Sequence, residues 1–396
     1  MNKVYLDNAA TTRVDPKVLE AMLPYFSDEY GNASSLHFAG LDNRVVVDRA
    51  GAKVADFLGC DKSEVYFTSG ATESDNMAIL GVVEAIKSKN DNKKVHVITT
   101  SIEHDAILEP CQELEKRGVD ITYLKPNKDG MISPDELEKA IRPETVLISI
   151  MYVNNEIGTI LPIEVFGGVI AKLNKKRENK IYFHTDATQA LNCCNCDVDT
   201  LGVDLLSLSG HKIYGPKGIG AIYIRKGTPL RPLVFGGHQQ QGVRSGTYNV
   251  SGIVGLAYAV EILSDKKQQT KENKRLMEIR DYLIEEIQKN ITDVSVTGGL
   301  KNRVTSNASF VIRGVEGESV LLMLSEKGIA ISTGSACSSG SLDPSHVLLA
   351  IGIKKEMAHG SLRITLGRFN TKKDIDILIK ELIPIISKLR EISPLK

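Results

Sequence analysis

A lysine that directly follows a strand-like run is the first residue whose position suggests chemistry. The apolar residues 203–208 lead into a small-residue turn that carries Lys212 beside Ser209 and His211. A lysine amine acts near pH 7 only when its pKa falls from about 10.4, through burial, neighbouring positive charge or capture by a carbonyl. Lysines beside glycine-rich turns are more often solvated surface groups, so Lys212 alone leaves both interpretations open.

A carboxylate closes the strand-like run that precedes this lysine. Residues 180–184 form the run, and Asp186 and Gln189 follow it. Because residues 203–208 lie between Asp186 and Lys212, two strands of one sheet could deliver both side chains to the same edge. Pyridoxal phosphate needs such a pair, since a carboxylate keeps its pyridine nitrogen protonated while a lysine holds its aldehyde. Asp186 is also suited to cap a helix that opens at Ala187, and both interpretations can hold at once.

A third segment has the pattern of a phosphate-binding turn. Residues 64–69 are strand-like, and residues 70–76 open a helical run that continues to Ile86. A small-residue turn between a strand and a helix start gathers unpaired backbone N–H groups at a positive dipole end. The chain has no GxGxxG or Walker pattern here, which makes a dinucleotide or ATP the weaker hypothesis. Taken alone, this segment could be an ordinary capped turn. A phosphate-binding turn, a carboxylate and a lysine in this order along the chain together predict one cofactor site.

The elements that must position these residues alternate between strands and helices. The pattern predicts a buried, mostly parallel sheet with helices on both faces, an α/β fold. Its strands are expected at residues 64–68, 95–99, 121–124, 145–152, 180–184, 203–208 and 220–225. A polar stretch at residues 265–274 follows a helix around 251–263, and we expect the domain change near it. The remainder is predicted to be a smaller α+β unit with strands at 308–312, 329–332 and 361–366.

Composition excludes several classes of protein. Lys plus Arg equals Asp plus Glu at 49 each, which argues against nucleic-acid and acidic-membrane partners. No apolar run reaches the roughly 18 residues of a membrane span, and none precedes the first strand, so we expect a cytoplasmic protein with its six cysteines as free thiols. Cys193, Cys194 and Cys196 form a cluster of a kind that binds soft metals. No second ligand cluster is evident, so we favour buried or semi-buried thiols and expect no metal site.

The chain resembles the cysteine desulfurases of the NifS/IscS type, in the class V branch of the fold-type I pyridoxal-phosphate enzymes. The resemblance covers nearly the whole chain and rests on residues 5–12, 68–76, 103–104, 153–158, 184–189, 209–218, 244–247, 334–337 and 361–368. It implies a homodimer with pyridoxal 5′-phosphate as cofactor. It also implies a large domain with a seven-stranded sheet, residues 13–262, and a small domain formed by residues 1–12 and 263–396.

The same resemblance assigns residues to the cofactor's phosphate. The backbone of Ala71 and Thr72, with the Thr72 hydroxyl, is expected to bind it. Ser209 and His211 are expected to add further contacts. Thr247 is expected to reach the phosphate from the partner subunit.

Around the cofactor ring, the resemblance implies that Gln189 and Asn155 lie near the phenolic oxygen. His104 is expected to stack on the ring face and to pass protons, although a histidine in this position is otherwise a polar residue satisfied in a loop. Arg363 is the candidate for the substrate carboxylate, because its planar fork pairs with a carboxylate through two hydrogen bonds. Asn155 and Asn32 are weaker candidates for that group, and a structural ion pair is the alternative for Arg363.

Cys337 lies in a run of small and polar residues that buries little apolar area, so we expect a mobile loop with an accessible thiol. The resemblance implies that this thiolate attacks the sulfur of cofactor-bound L-cysteine and leaves L-alanine and a persulfide. Its flanking residues resemble the longer-loop variety that passes sulfur to an iron–sulfur scaffold or a sulfur-carrier protein. A selenocysteine lyase or another β-lyase is an alternative. So is a non-catalytic sulfur-relay protein, although the presence of Lys212, Asp186 and Cys337 argues against it.

The sequence departs from the family pattern near the expected wall of the dimer's active site. His238, Gln240 and Gln241 stand where glycine, glutamate and arginine are usual. We expect these residues to change the polar contacts of that wall. Arg244 and Thr247, which follow directly, are retained.

Overall fold

A computed structural model of the chain describes residues 3–89, 94–334 and 343–393. The strands are β1 Val4–Tyr5, β2 Val65–Thr68, β3 His96–Thr100, β4 Asp120–Leu124, β5 Thr145–Ser149, β6 Tyr182–Asp186, β7 Leu205–Ser209, β8 Gly220–Ile224, β9 Val294–Val296, β10 Asn307–Ile312, β11 Ile329–Ala330 and β12 Ser361–Thr365. The helices are α1 Pro16–Met22, α2 Pro24–Ser27, α3 Phe38–Leu58, α4 Ala71–Asn76, α5 Val82–Lys87, α6 Asp105–Lys116, α7 Pro134–Ala140, α8 Ile163–Asn174, α9 Val198–Leu201, α10 Val250–Ser264, α11 Lys266–Asn290, α12 Gly317–Glu326, α13 His346–Ala350, α14 Lys355–Ala358 and α15 Lys372–Ile392. None of the helices in these ranges is both long and apolar enough to cross a lipid bilayer.

The central sheet has seven strands in the order β2-β8-β7-β6-β5-β3-β4. β8 runs antiparallel to β2 and β7, and the other neighbouring pairs are parallel. Every residue of β3, β5, β7 and β8 is buried, because separate apolar cores pack against the two faces of the sheet. The predicted α/β fold is confirmed, and each expected strand of the large domain is present. β5 ends three residues earlier than expected, at Ser149, and β6 extends to Asp186.

The register of two neighbouring strands sets up the site. In β6 and β7, which run parallel, Asp186 pairs with Ser207. β7 ends at Ser209, and a 3₁₀ turn, Gly210–Lys212, follows at once. Asp186 and Lys212 therefore leave the same edge of the sheet, at the carboxyl ends of its parallel strands, as their spacing predicted.

A smaller α+β unit lies at the other end of the chain. β12, β10 and β9 form an antiparallel sheet, and β1 pairs in parallel with β11. Val4 and Leu6 share an apolar core with residues of α11, α12 and α15, so the first strand packs with the C-terminal part. The polar stretch at residues 265–274, near which the domain change was expected, forms the first turns of α11, and Asp265 caps that helix. The domain bounds at residues 12 and 262 stay a prediction.

Candidate active site

A cavity of about 620 Å³ opens at this edge of the central sheet. The predicted site residues that line it are Ala71, Thr72, His104, Asn155, Asp186, Gln189, Ser209, His211, Lys212 and Arg363. Asn32 and Thr247 are exposed and do not line it. Cys337 lies outside the described residues. One chain thus brings together most of the residues that the sequence nominated.

The turn between β2 and α4 forms one end of the cavity. Gly70 precedes α4, and no side chain caps the helix start at Ala71, so its backbone N–H groups can meet an anion. The helical run continues from α4 through a π-helical segment, Met77–Gly81, into α5. Gly220 of β8 lies against the turn: a Cβ there would lie 2.8 Å from the Gly70 Cα and 2.6 Å from the Leu208 carbonyl oxygen. Only glycine lets the turn pack this closely on the sheet.

An ion pair braces the same turn. The Glu73 carboxylate accepts hydrogen bonds from the Ser69 backbone N–H at 2.7 Å and from Arg244 Nε at 2.7 Å and Nη2 at 3.3 Å. Burial alone would raise the pKa of Glu73, but the hydrogen bonds from Arg244 and Ser69 outweigh it and lower that pKa. Glu73 therefore joins the phosphate turn to the segment that contains Arg244.

The lysine turn is tied to the N-terminal segment of the chain. Lys212 Nζ donates to the backbone oxygens of Ala9 at 2.5 Å and Ala10 at 2.8 Å. The backbone N–H and hydroxyl of Thr12 both donate to the His211 carbonyl oxygen, at 2.8 and 2.9 Å. Burial and the neighbouring lysine amines lower the pKa of His211 to about 4, so its ring is uncharged at neutral pH. The lysine amine is held inside the cavity.

Asp186 and His104 each have a local partner. Asp186 Oδ1 accepts from the Thr188 N–H at 2.8 Å, but turns rather than a helix follow it, so the helix-cap interpretation is wrong. His104 caps α6, where its Nδ1 accepts from the Ala106 N–H at 3.1 Å. His104 is therefore satisfied at a loop end and lines the cavity at the same time.

Two further carboxyl groups lie beneath Asp186, and the sequence analysis missed both. Asp75 of α4 is fully buried and lines the cavity, with its Oδ1 3.6 Å from His184 Nε2. Burial and then the nearby Asp186 raise the pKa of Asp75, and burial raises the pKa of Glu103 to about 8. Burial lowers the pKa of His184 to about 3, so this ring does not supply a positive charge to Asp75 at neutral pH. The sequence offered one signal for Asp75, which is an acidic residue in the helix that follows the phosphate-binding turn.

Arg363 is fixed from two sides. Its side chain on β12 is buried, and it donates through Nη1 to the Asn155 carbonyl oxygen at 3.1 Å and through Nη2 to Asp7 Oδ1 at 3.2 Å. Its Nε–H has no hydrogen-bond partner within the described part of the chain. Arg363 lines the cavity, where a planar guanidinium is suited to an incoming carboxylate. Asp7 was also missed, although an acid directly after the first strand was visible in the sequence.

The clustered cysteines are thiols of mixed burial. Cys196 is buried, Cys193 and Cys194 are partly exposed, and the sulfur atoms of Cys193 and Cys194 are 3.7 Å apart. Burial raises the pKa of Cys196. In residues 3–89, 94–334 and 343–393, no group of three or more His, Cys, Asp or Glu side chains is arranged to hold a metal ion.

The donor set of the cavity fits pyridoxal phosphate. The uncapped start of α4 suits the phosphate, the Lys212 amine suits the aldehyde, and Asp186 suits the pyridine nitrogen. All three line one cavity large enough for a small cofactor.

Known proteins resemble this chain along its whole length. The profile of the class-V aminotransferases matches residues 4–378. Cysteine desulfurase IscS of Dictyoglomus turgidum is 50% identical over 394 residues, which cover 100% of this chain and 97% of that protein. A solved NifS-like protein superimposes with a TM-score of 0.89 at 36% identity, covering 98% of this chain and 100% of its own. The structure "SspA in complex with cysteine" has a TM-score of 0.79 at 38% identity, covering 93% and 100%.

Proposed function

This chain belongs to the class-V aminotransferases and, within them, to the cysteine desulfurases, and from this premise we propose how its residues act. The enzyme depends on pyridoxal phosphate and converts L-cysteine to L-alanine while retaining the sulfur for transfer. The observation that best supports the site is the single cavity that Lys212, Asp186 and the start of α4 line together.

The groups that line this cavity have distinct tasks. When bound, pyridoxal phosphate supplies a ring that withdraws electrons from the amino acid attached to it. The start of α4 binds the phosphate, and Asp186 keeps the ring nitrogen protonated. Arg363 binds the substrate carboxylate, which orients the α-carbon toward Lys212. The Lys212 amine removes the α-proton and holds it for return to the substrate carbon skeleton. His104 covers one face of the ring.

Cys337 accepts the sulfur. Its thiolate attacks the sulfur atom of the bound cysteine, so that an S–S bond forms while the C–S bond breaks. The electron pair of the C–S bond stays on carbon, which takes up a proton and leaves as alanine. The persulfide on Cys337 then passes its outer sulfur to an acceptor.

Replacing Cys337 by serine tests this role. Cys337→Ser is expected to keep the visible absorbance of the cofactor and the spectral change on adding L-cysteine, because the cavity residues are untouched. It should form no persulfide, since a hydroxyl is not a thiolate nucleophile. Mass spectrometry of the intact protein after cysteine addition measures the extra sulfur atom. Cys60→Ser, which alters a half-buried thiol, is the control; full turnover by Cys337→Ser would remove the assigned role.

Replacing Arg363 by lysine tests the carboxylate site. A lysine keeps the charge but cannot make the paired hydrogen bonds of the guanidinium. Loss of a charged hydrogen bond costs about 1.5–3 kcal/mol, which should raise KM for L-cysteine about 10- to 150-fold. The value of kcat should fall much less. Arg368→Lys is the matched control, because Arg368 pairs with Asp15 at 2.7 Å and stacks on Tyr214. An equal rise in KM in both variants would contradict the assignment.

We further propose that the enzyme is a homodimer. Large apolar side chains at the N-terminal end are exposed in the single chain, among them Phe26 at 62%, Tyr30 at 79%, Leu36 at 89% and Phe38 at 79%. A patch of this kind is typical of a surface that another chain covers. The exposed Thr247 is then available to the phosphate of the partner's cofactor.

A double variant of this patch tests the dimer. The wild-type enzyme should elute at twice the chain mass of 43.3 kDa, and Leu36→Glu with Phe38→Glu should elute as a monomer, because charge in a buried apolar interface is costly. Leu322→Glu alters an equally apolar residue of α12 that is 64% exposed and serves as the control. Light scattering measures the masses, and a dimeric double variant would contradict the proposed surface.

The location and the acceptor complete the proposal. The cysteines in the described ranges have free thiols, as expected of a cytoplasmic enzyme. The acceptor is expected to be an iron–sulfur scaffold or a sulfur-carrier protein. Recovery of such a protein bound to the enzyme when persulfides are trapped in the native cell tests this expectation.

A further inference from the structure

A loop with a strained backbone contacts the phosphate-binding turn between β2 and α4. His238, Gln240 and Gln241 have φ values of 57°, 49° and 60°, in the left-handed region that residues with side chains seldom adopt. Three such residues within four positions are unfavourable unless other contacts compensate for them. A strained backbone beside a binding site points to a role for the contacts that hold it.

The compensating contact is made by the carboxamide of Gln240. Its Oε1 accepts from the Phe67 N–H at 2.6 Å, and its Nε2 donates to the Phe67 carbonyl oxygen at 2.8 Å. Phe67 lies on β2, an edge strand of the central sheet. The outward N–H and C=O groups of an edge strand have no strand neighbour. Gln240 supplies both bonds that a further strand would make.

The loop is joined to the cradle at two points. Gln240 binds β2 two residues before Ser69, and Arg244 binds Glu73, which in turn accepts from the Ser69 N–H. These contacts lie on either side of Gly70. The position of the turn therefore depends on the loop as well as on the sheet.

We propose that Gln240 is a positioning residue for the phosphate of the cofactor, acting through the edge of β2. The inference rests on the proposed function, because it takes the turn at Gly70 as the phosphate site. It also accounts for a departure from the family pattern. A glutamate, usual at this position, can accept from the Phe67 N–H but, when ionised, cannot donate to the Phe67 oxygen.

The experiment compares two ligands that differ only in the phosphate. Pyridoxal 5′-phosphate and pyridoxal are titrated into the full-length enzyme after removal of its cofactor, and the visible absorbance gives both dissociation constants. Gln240→Ala should weaken pyridoxal 5′-phosphate about tenfold, the loss expected from one or two hydrogen bonds, and pyridoxal by less than about twofold. Gln240→Glu should lie between Gln240→Ala and wild type. Gln241→Ala, an exposed neighbour with the same backbone region, should match wild type.

The outcomes separate this inference from the function itself. Equal weakening of both ligands would show a merely structural role, and unchanged binding of pyridoxal 5′-phosphate would show none; either result overturns the proposal. If Gln240→Ala does not fold, the same two dissociation constants are measured for Gln240→Asn, whose side chain is one methylene shorter, and the same outcomes apply. A wild-type enzyme that does not prefer pyridoxal 5′-phosphate to pyridoxal would instead contradict the proposed phosphate site.

Discussion

Replacing Lys212 by alanine is expected to lower kcat by at least about four orders of magnitude, because one residue supplies both the covalent attachment and the proton transfer. Lys212 Nζ lies inside the cavity, where Ala9 and Ala10 accept its hydrogen bonds. Addition of borohydride to the wild-type enzyme should fix the cofactor to this lysine, and peptide mass spectrometry should locate it there.

Lys217 is the matched control, because it also lines the cavity but is exposed. Lys217→Ala should keep the colour of the enzyme and the fixed cofactor. The assignment of Lys212 fails if borohydride attaches the cofactor to Lys217, or if Lys212→Ala still carries a covalently fixed cofactor.

The strands of the central sheet were predictable because most of their residues are buried, and β3, β5, β7 and β8 are buried throughout. A strand covered on both faces has a continuous apolar run, and such runs stand out in the sequence. The ends of the strands were less predictable, since the neighbouring strand decides where pairing stops. β5 stops at Ser149, although the apolar character continues through Met151.

The candidate site was predictable where function follows from local pattern. Asp186 ends a strand, and Lys212 and the turn at Gly70 each follow a strand end closely, so the fold alone gathers them. Contacts between distant segments have no local signal. Asp7 holds Arg363 across 356 positions of sequence, and neither residue indicates the other.

Two residues predicted for the site, Asn32 and Thr247, do not line the cavity, and the reasons differ. The Asn32 side chain is used locally, where its Oδ1 accepts from the Ser34 N–H at 2.9 Å. Thr247 is exposed, which is consistent with its predicted contact to the partner subunit's cofactor. Its role and that of Cys337 therefore depend on the predictions for the dimer and for persulfide formation.

Replacing Asp186 by asparagine is expected to lower kcat about 100- to 1,000-fold, the usual loss when one preorganised charge-stabilising group is removed. Asparagine keeps the shape and still accepts from the Thr188 N–H, so the turn should persist. What is lost is the negative charge that keeps the ring nitrogen protonated. The pH titration of the cofactor's visible absorbance, together with kcat, measures this loss separately from folding.

Asp75→Asn tests whether the loss of kcat is specific to the carboxylate of Asp186 or follows the removal of either buried carboxyl group. Burial and Asp186 raise the pKa of Asp75, so its carboxyl is favoured in the neutral form, which an amide resembles. The Asp75 variant should therefore lose less than about tenfold in kcat, far less than Asp186→Asn. The reverse order would mean that Asp75 carries the charge beneath the ring. Because burial penalises each additional carboxylate, the two variants determine which of Asp75 and Asp186 carries the charge that the ring needs.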